Sequence, residues 1–231
     1  MKERVCSVHP PTTNGVVSKS KALPASKLSL KLLLITKAFF LDKQSGKKCY
    51  MISSRDLMFV RGDIPTDWGW TSLPGTTFLE FAELIHAFWL EIGGKISTRI
   101  LSPGTNYTAY LVFKPKERFY GFENQPVEVS VGLVGTKNQK RSVFLHERRD
   151  WWIESSPSVG WWLPSCRMMF GGNFAKKRGD EWHEVELGDF FNAGDEDGEL
   201  EMSILEVSGH WKGGLIVQGI EIRPKQGVFI L

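Results

Sequence analysis

Short segments in which every second residue is apolar recur along this chain. The clearest is residues 127–133, where Val, Val, Val and Leu alternate with Glu, Ser and Gly. A period of two places the apolar side chains on one face of a strand. Residues 107–114, 200–207 and 213–223 repeat the pattern, and Ile216, Ile220 and Ile222 are predicted to share one face. Turn-forming residues separate the segments, so the pattern predicts an all-β fold of antiparallel strands.

One segment has a helical period instead. Thr77 and Glu80 fit a capping box, in which each side chain satisfies a free backbone N–H at a helix start. The apolar residues then follow at helical spacing, at Phe78, Phe81, Ala82, Ile85 and Trp89. We therefore expect a helix over 78–88 and a strand over 90–98. The complete expectation is a two-sheet antiparallel β-sandwich, jelly-roll-like, with one short helix.

Composition divides the chain into a basic arm and a β-rich body. Residues 1–50 hold ten Lys or Arg and two Asp or Glu, whereas the 231-residue chain has a net charge of +3. We expect a disordered or remnant arm over 1–38, a binding domain over 39–226 and a long loop over 148–177. The apolar run 28–41 is interrupted by Lys31 and Lys37 and is too short to span a membrane. Three cysteines and no signal-like segment favour a cytoplasmic or nuclear protein.

Catalytic and metal motifs are weak in this sequence. Cys6 and His9 have ligand-like spacing, but no second pair follows them, so we expect no metal and no other cofactor. Glu199 and Glu206 could act as the two carboxylates of a glycoside hydrolase. Seven residues apart on one strand, however, they should point to opposite faces, with Glu206 on the same inward face as the apolar residues of that strand. A structural or ligand-binding role for Glu206 is therefore preferred, and no enzyme activity is expected.

Tryptophan is abundant, and Trp68 stands in a stretch rich in Gly, Pro and Asp. Such a context favours a ring near the surface, where its flat face could stack on a sugar while neighbouring polar groups bind the hydroxyls. Single-stranded nucleic acid would use the same rings but needs basic residues around them, and this stretch has only Arg61. No nucleic-acid partner is expected.

A series of blocks, in order, resembles the plant phloem-lectin domain, the Nictaba-like family. The likeness runs from about residue 39 to residue 225. The blocks are residues 48–57 (KCYMISSRDL), 62–70 (GDIPTDWGW), 80–84 (EFAEL), 89–96, 107–114, 126–132, 186–191 (ELGDFF), 197–202 and 211–224 (WKGGLIVQGIEIRP).

This resemblance implies a β-sandwich lectin of the plant cytoplasm and nucleus. The family binds N-acetylglucosamine oligomers and N-glycan cores without metal or catalysis. Two tryptophans and two glutamates are linked to sugar binding in the family, and by motif they fall on Arg61, Trp68, Glu199 and Glu206. Many members also carry an F-box, which docks a ubiquitin-ligase adaptor.

Two departures from the family pattern modify these expectations. Arg61 stands where the family usually has Trp, and Asp67 stands where it usually has Tyr, so half of the aromatic platform is missing and sugar binding should be weakened or altered. No intact F-box is recognised ahead of the domain, so adaptor docking is not favoured, although a protein-interaction role inherited from an F-box parent is the alternative. We expect Trp70, Trp89 and Trp211 in the core, and a homodimer remains open.

Overall fold

The computed structural model describes residues 37–76, 78–123, 125–136, 138–147, 173–194 and 198–225. Over these residues the chain is almost entirely β, with two short 3₁₀ turns and no α-helix. The elements are β1 (Lys37–Leu41), β2 (Lys48–Ser53), a 3₁₀ turn (Ser54–Asp56), β3 (Met58–Phe59), β4 (Trp68–Thr71), β5 (Phe81–Leu84), β6 (Leu90–Ser97), a 3₁₀ turn (Thr98–Ile100), β7 (Thr105–Tyr120), β8 (Val127–Leu133), β9 (Gln139–Glu147), β10 (Asn173–Lys177), β11 (His183–Asn192), β12 (Glu199–Glu206) and β13 (Gly213–Pro224).

The strands form one continuous hydrogen-bonded path rather than two separate sheets. The order is β1-β2-β13-β7-β11-β10-β9-β8-β12-β6-β3, and the β4–β5 pair is attached to β13. β10 makes the join, because it pairs antiparallel with β11 and parallel with β9. The predicted all-β class is confirmed, but the two-sheet sandwich is not: the sheet is a curled half-barrel.

The core lies inside this curl. Buried side chains from both halves of the path pack into one cluster, including Leu111 and Ile220 from one half and Val129, Ile92 and Leu200 from the other. Burying such apolar surface is the dominant favourable contribution to folding. A second, smaller cluster lies on the outer face and contains Phe81, Val112, Trp182 and Ile216, among others.

The strand predictions are confirmed except at a bulge in β13. Residues 127–133, 200–207 and 213–223 coincide with strands to within a residue, and residues 107–114 lie inside the longer strand β7. The register of β13 shifts between Val217 and Gly219. This shift reverses the alternation, so Ile216 joins the outer cluster while Ile220 and Ile222 face the main core. The predicted common face of the three isoleucines is therefore wrong.

The predicted helix over 78–88 is also wrong, because residues Phe81–Leu84 form β5 between β4 and β13. Both faces of β5 are buried: Phe81 contributes to the outer cluster, and Ala82 and Leu84 to the main core. A strand with two buried faces loses its period of two and cannot be distinguished from a buried helix by pattern.

The segment predicted as a long loop, residues 148–177, is only partly described. Residues 148–172 lie outside the described part, whereas Asn173–Lys177 form β10, the joining strand, so the end of the loop prediction is wrong. The arm predicted over 1–38 falls outside the described residues except for Lys37 and Ala38, where β1 begins.

Candidate functional site

Arg61 and Asp67 lie in the loop that joins β3 to β4 and contact each other directly. Arg61 Nε donates to Asp67 Oδ2 at 2.6 Å, and Thr66 Oγ1 donates to Asp67 Oδ1 at 2.9 Å. The hydrogen bond from Arg61 holds the pKa of the Asp67 carboxyl below its usual range, despite the burial of that carboxyl. The Arg61 side chain itself is 60% exposed. The two positions that depart from the family pattern thus form one ion pair.

Trp68 does not form the exposed plate that the sequence predicted. It is only 5% exposed, and its ring packs against Phe59 with the ring centroids 4.5 Å apart. Its indole Nε1 donates to the carbonyl oxygen of Val60 at 3.2 Å. The Trp68 side chain belongs to the core cluster and lies beneath the Arg61 loop. It therefore presents no free ring face to a sugar.

Glu206 is buried at the end of β12. One carboxylate oxygen lies 2.5 Å from Lys212 Nζ, and the other accepts a hydrogen bond from the Ser208 backbone N–H at 2.8 Å. Burial by itself raises the pKa of Glu206, but the hydrogen bonds from Lys212 and Ser208 outweigh it, and the net pKa is below the ordinary value. The prediction that Glu206 points inward is confirmed.

Glu199 lies at the opposite end of β12. It is exposed and lies 3.6 Å from Lys95, which also contacts Glu201. β12 pairs with β6 without a register shift, so the seven steps from Glu199 to Glu206 span about 23 Å. The predicted opposite faces are confirmed. The paired carboxylates of glycosidases are only about 5–10 Å apart, so this pair does not have that arrangement.

Three loops meet at the Glu206 end of the molecule, and we call this region the loop end: residues 60–67, 85–89 and 207–212. The backbone N–H of Ile85 donates to the Asp67 carbonyl at 2.8 Å, which joins the first two loops. Ala87 and Lys212 exchange two backbone hydrogen bonds, of 3.0 and 2.9 Å, which join the second and third.

The loop end carries an exposed cluster of rings that the sequence did not predict. Trp211 stacks on His86 with ring centroids 4.2 Å apart and planes 5° from parallel, and Phe88 meets Trp211 edge-on at 5.3 Å. We call these three residues the aromatic plate. Trp211 is 53% exposed and Phe88 is 49% exposed, while His86 is also in the exposed class.

The prediction that Trp70, Trp89 and Trp211 lie in the core is wrong, because all three are between 40% and 53% exposed. Local context does not distinguish the two tryptophans: Trp211 follows Ser-Gly-His and Trp68 stands in a similarly polar stretch, yet Trp211 is exposed and Trp68 is buried. Trp70 lies under the guanidinium of Arg55, with the Arg55 Cζ atom 3.5 Å from its ring centroid.

Polar groups surround the aromatic plate. His86 Nδ1 lies 2.6 Å from the Tyr120 hydroxyl, and Ser208 Oγ lies 3.1 Å from His210 Nδ1. The exposed guanidinium of Arg61 belongs to the adjacent loop. Flat rings flanked by hydroxyl and imidazole groups suit a ligand that has both an apolar face and hydrogen-bonding edges.

The described residues show neither a metal centre nor a membrane-spanning helix. Within them, no group of three or more His, Cys, Asp or Glu side chains could hold a metal ion. Cys6 and His9 lie outside that part of the chain. Over the same described residues, no helix is both long and apolar enough to cross a membrane.

Comparison with solved structures gives remote likenesses. The CBM22-1 xylan-binding domain from Paenibacillus barcinonensis Xyn10C is 9% identical with a TM-score of 0.34, and the alignment covers 85% of this chain and 96% of that one. TmCBM61, solved in complex with β-1,4-galactotriose, is 10% identical with a TM-score of 0.29, covering 78% of this chain and 90% of that one. Likenesses at these scores carry no functional argument.

Comparison of sequences gives near relatives. The chain is 41% identical over 225 residues to F-box protein At2g02240 of Arabidopsis thaliana, covering 93% of this chain and 66% of that protein. It is 40% identical over 193 residues to F-box protein PP2-B10 of the same plant, covering 81% of this chain and 64% of that protein. The chain therefore spans just under two-thirds of the length of these relatives. The family described as Phloem protein 2 matches residues 47–224, and this chain belongs to that family.

Proposed function

We propose that this chain is a carbohydrate-binding module without enzyme activity, whose ligands are N-acetylglucosamine oligomers or the cores of N-glycans on glycoproteins. Membership of the Phloem protein 2 family supports a lectin-like role. The observation that carries the location of the site is the half-exposed Trp211 ring stacked on His86. The His86 imidazole covers one face of the Trp211 indole, and a pyranose ring stacks on the opposite face.

This assignment replaces Trp68 with Trp211 as the stacking residue. Trp68 is buried against Phe59, whereas Trp211 is open to solvent at the same end of the molecule. Arg61, in another loop of the loop end, offers an exposed hydrogen-bond donor to the same ligand. Glu199 lies about 23 Å along β12 from Glu206 and has no part in this site.

The test is binding of chitin oligomers and N-glycans, first on an array and then by titration calorimetry. Trp211→Ala should weaken binding at least about tenfold, because the stacked indole is the largest apolar contact of the site. Phe191→Ala is the matched control: Phe191 is 57% exposed and lies on β11 opposite Asn106, at the far end of β7 from Tyr120. Equal binding by wild type and Trp211→Ala would contradict the proposed site.

Substitutions at Trp68 and Arg61 are less informative about sugar contact. Removing the buried indole in Trp68→Ala costs about 3–5 kcal/mol of stability, so lost binding would follow from lost structure. Arg61→Trp does more than add a ring. It removes the partner of the buried Asp67 carboxylate, and it places an aromatic residue at a φ of 59°.

A second candidate function is substrate recognition or protein interaction on behalf of a ubiquitin ligase. Its support is that the relatives are named F-box proteins. In this case the domain would select glycoprotein substrates in the plant cytoplasm or nucleus. Co-purification of a ubiquitin-ligase adaptor with the tagged chain would support this function. Failure to co-purify an adaptor would contradict it, and the lectin function would then be the remaining proposal.

A further inference from the structure

The Glu206 carboxylate is buried and ion-paired, so a ligand could not reach it without displacing other groups. One oxygen contacts Lys212 Nζ at 2.5 Å, the other accepts from the Ser208 N–H at 2.8 Å, and the residue is only 3% exposed. A sugar hydroxyl at Glu206 would have to displace a buried ionic partner. The role that the family resemblance implied for this position, direct sugar binding, therefore does not fit the geometry.

Lys212 is the centre of the arrangement. Its side chain is completely buried, and its ammonium donates to the Phe88 carbonyl at 2.7 Å and to the His210 carbonyl at 2.6 Å. The two carbonyls accept hydrogen bonds from the ammonium, and the Glu206 carboxylate is its counter-charge in an ion pair. We call this group the Lys212 clamp: Lys212 Nζ, the Glu206 carboxylate and the carbonyls of Phe88 and His210.

The two clamped carbonyls belong to the loops that carry the aromatic plate. Phe88 is itself a plate residue, and His210 directly precedes Trp211. The Lys212 ammonium thus fixes the relative position of Phe88 and Trp211 together with the two backbone hydrogen bonds between Ala87 and Lys212. A buried ion pair often adds little net stability compared with apolar residues of similar size. What this pair does supply is a fixed spacing between two otherwise irregular loops.

We infer that Glu206 and Lys212 are positioning residues for the aromatic plate: Glu206 holds Lys212 in place, and Lys212 sets the geometry of Phe88 and Trp211 without either residue touching the sugar. This inference rests on the proposed function for the role of the plate in sugar binding. It predicts that breaking the clamp moves Trp211 and lowers affinity in a protein that is still folded.

The experiment uses the full chain labelled with 5-fluorotryptophan. The ¹⁹F resonance of Trp211 is identified as the one lost in Trp211→Phe. Three variants are compared with wild type well below their melting temperatures: Glu206→Gln, the double variant Glu206→Gln with Lys212→Met, and Leu200→Ala. Leu200 is buried near the far end of the same strand, so its truncation destabilises the fold without touching the clamp.

Glu206→Gln should shift the Trp211 resonance and lower affinity for a chitin oligomer about tenfold or more. The double variant removes the unpaired buried charge and should recover melting temperature. Its Trp211 resonance should stay shifted and its affinity low, because the carbonyls of Phe88 and His210 still lack the Lys212 ammonium. Leu200→Ala should leave the resonance in place and the affinity within about twofold. If Glu206→Gln does not fold, the double variant carries the comparison.

Two results would overturn the inference. One is lost affinity in Glu206→Gln with the Trp211 resonance unmoved, which would make Glu206 a direct sugar ligand. The other is an unmoved resonance together with unchanged affinity. If wild type binds no sugar at all, the proposed function fails. The clamp is then judged by the resonance alone, which must move in Glu206→Gln and the double variant but not in Leu200→Ala.

Discussion

Arg61 and Asp67 act as one unit in the loop between β3 and β4. The resemblance implied aromatic residues at both sites, and here the two side chains form an ion pair with a 2.6 Å contact. Asp67 is buried, so it needs its partner, whereas the guanidinium of Arg61 is free to reach solvent. The ion pair between Arg61 and Asp67 stabilises the conformation of the loop. It also replaces the expected apolar platform with hydrogen-bond donors.

The buried carboxylates make the fold sensitive to acid. The pKa values of Glu206 and Asp67 in the folded protein both lie below their ordinary values. The unfolded chain therefore binds more protons than the folded chain at mildly acidic pH. Their contribution to stability is complete above about pH 5 and is lost as the pH falls through the folded pKa values. We expect the free energy of unfolding, from urea titrations, to fall steadily between about pH 5 and pH 3.

Urea titrations of Glu206→Gln show how much of this pH dependence of stability comes from Glu206. Glu206→Gln should be less stable at neutral pH by about 3–5 kcal/mol, because Lys212 is left buried without its counter-charge. Its loss of stability on acidification should be smaller than that of wild type, because the titrating group is gone. Parallel curves for wild type and Glu206→Gln would contradict the assignment of acid sensitivity to this residue.

Among the strands, β13 depends on a glycine near its start. Gly214 has a φ of 77°, and a Cβ atom there would lie 2.1 Å from the carbonyl oxygen of Arg118. The register of β13 against β7 shifts at this point, between Gly213 and Leu215. The shift lets the chain pass directly from the buried Lys212 into a central strand, so the bulge connects the clamp to the sheet.

Gly214→Ala should therefore destabilise the protein by about 2–3 kcal/mol, because it combines an unfavourable φ with a clash against backbone. Gly46→Ala is the matched control. Gly46 has a φ of 65°, and a Cβ atom added there would meet nothing within 4 Å, so this variant should lose only about 1–2 kcal/mol. Urea unfolding of both variants measures the difference. Equal losses would mean that the close approach to Arg118 has no energetic effect.

Across the whole molecule, the curled sheet separates the residues that the family resemblance grouped together. Arg61, Asp67, Trp68 and Glu206 are all at or beneath the loop end, but Glu199 lies at the opposite end of β12. Its contact with Lys95 is an exposed ion pair, which contributes little to stability.

Glu199→Gln is therefore expected to leave affinity for chitin oligomers within about twofold of wild type and stability within about 0.5 kcal/mol. Calorimetric titration and urea unfolding measure the two quantities. Lys95→Gln removes the partner and should behave alike. A loss of sugar affinity in Glu199→Gln alone would require a second sugar site at that end of the molecule.

The sequence by itself determined the all-β class, the course of the long alternating strands, the family and the inward direction of Glu206. These properties follow from local periodicity and from the order of residues along the chain. Only the tertiary structure decided that residues 81–84 form a strand, that β10 joins the two halves of the sheet, and that Trp68 is buried while Trp211 is exposed. The physical reason is that burial depends on which distant segments cover a side chain, as Phe59 covers Trp68 and as Lys212 draws two loops together beneath Trp211.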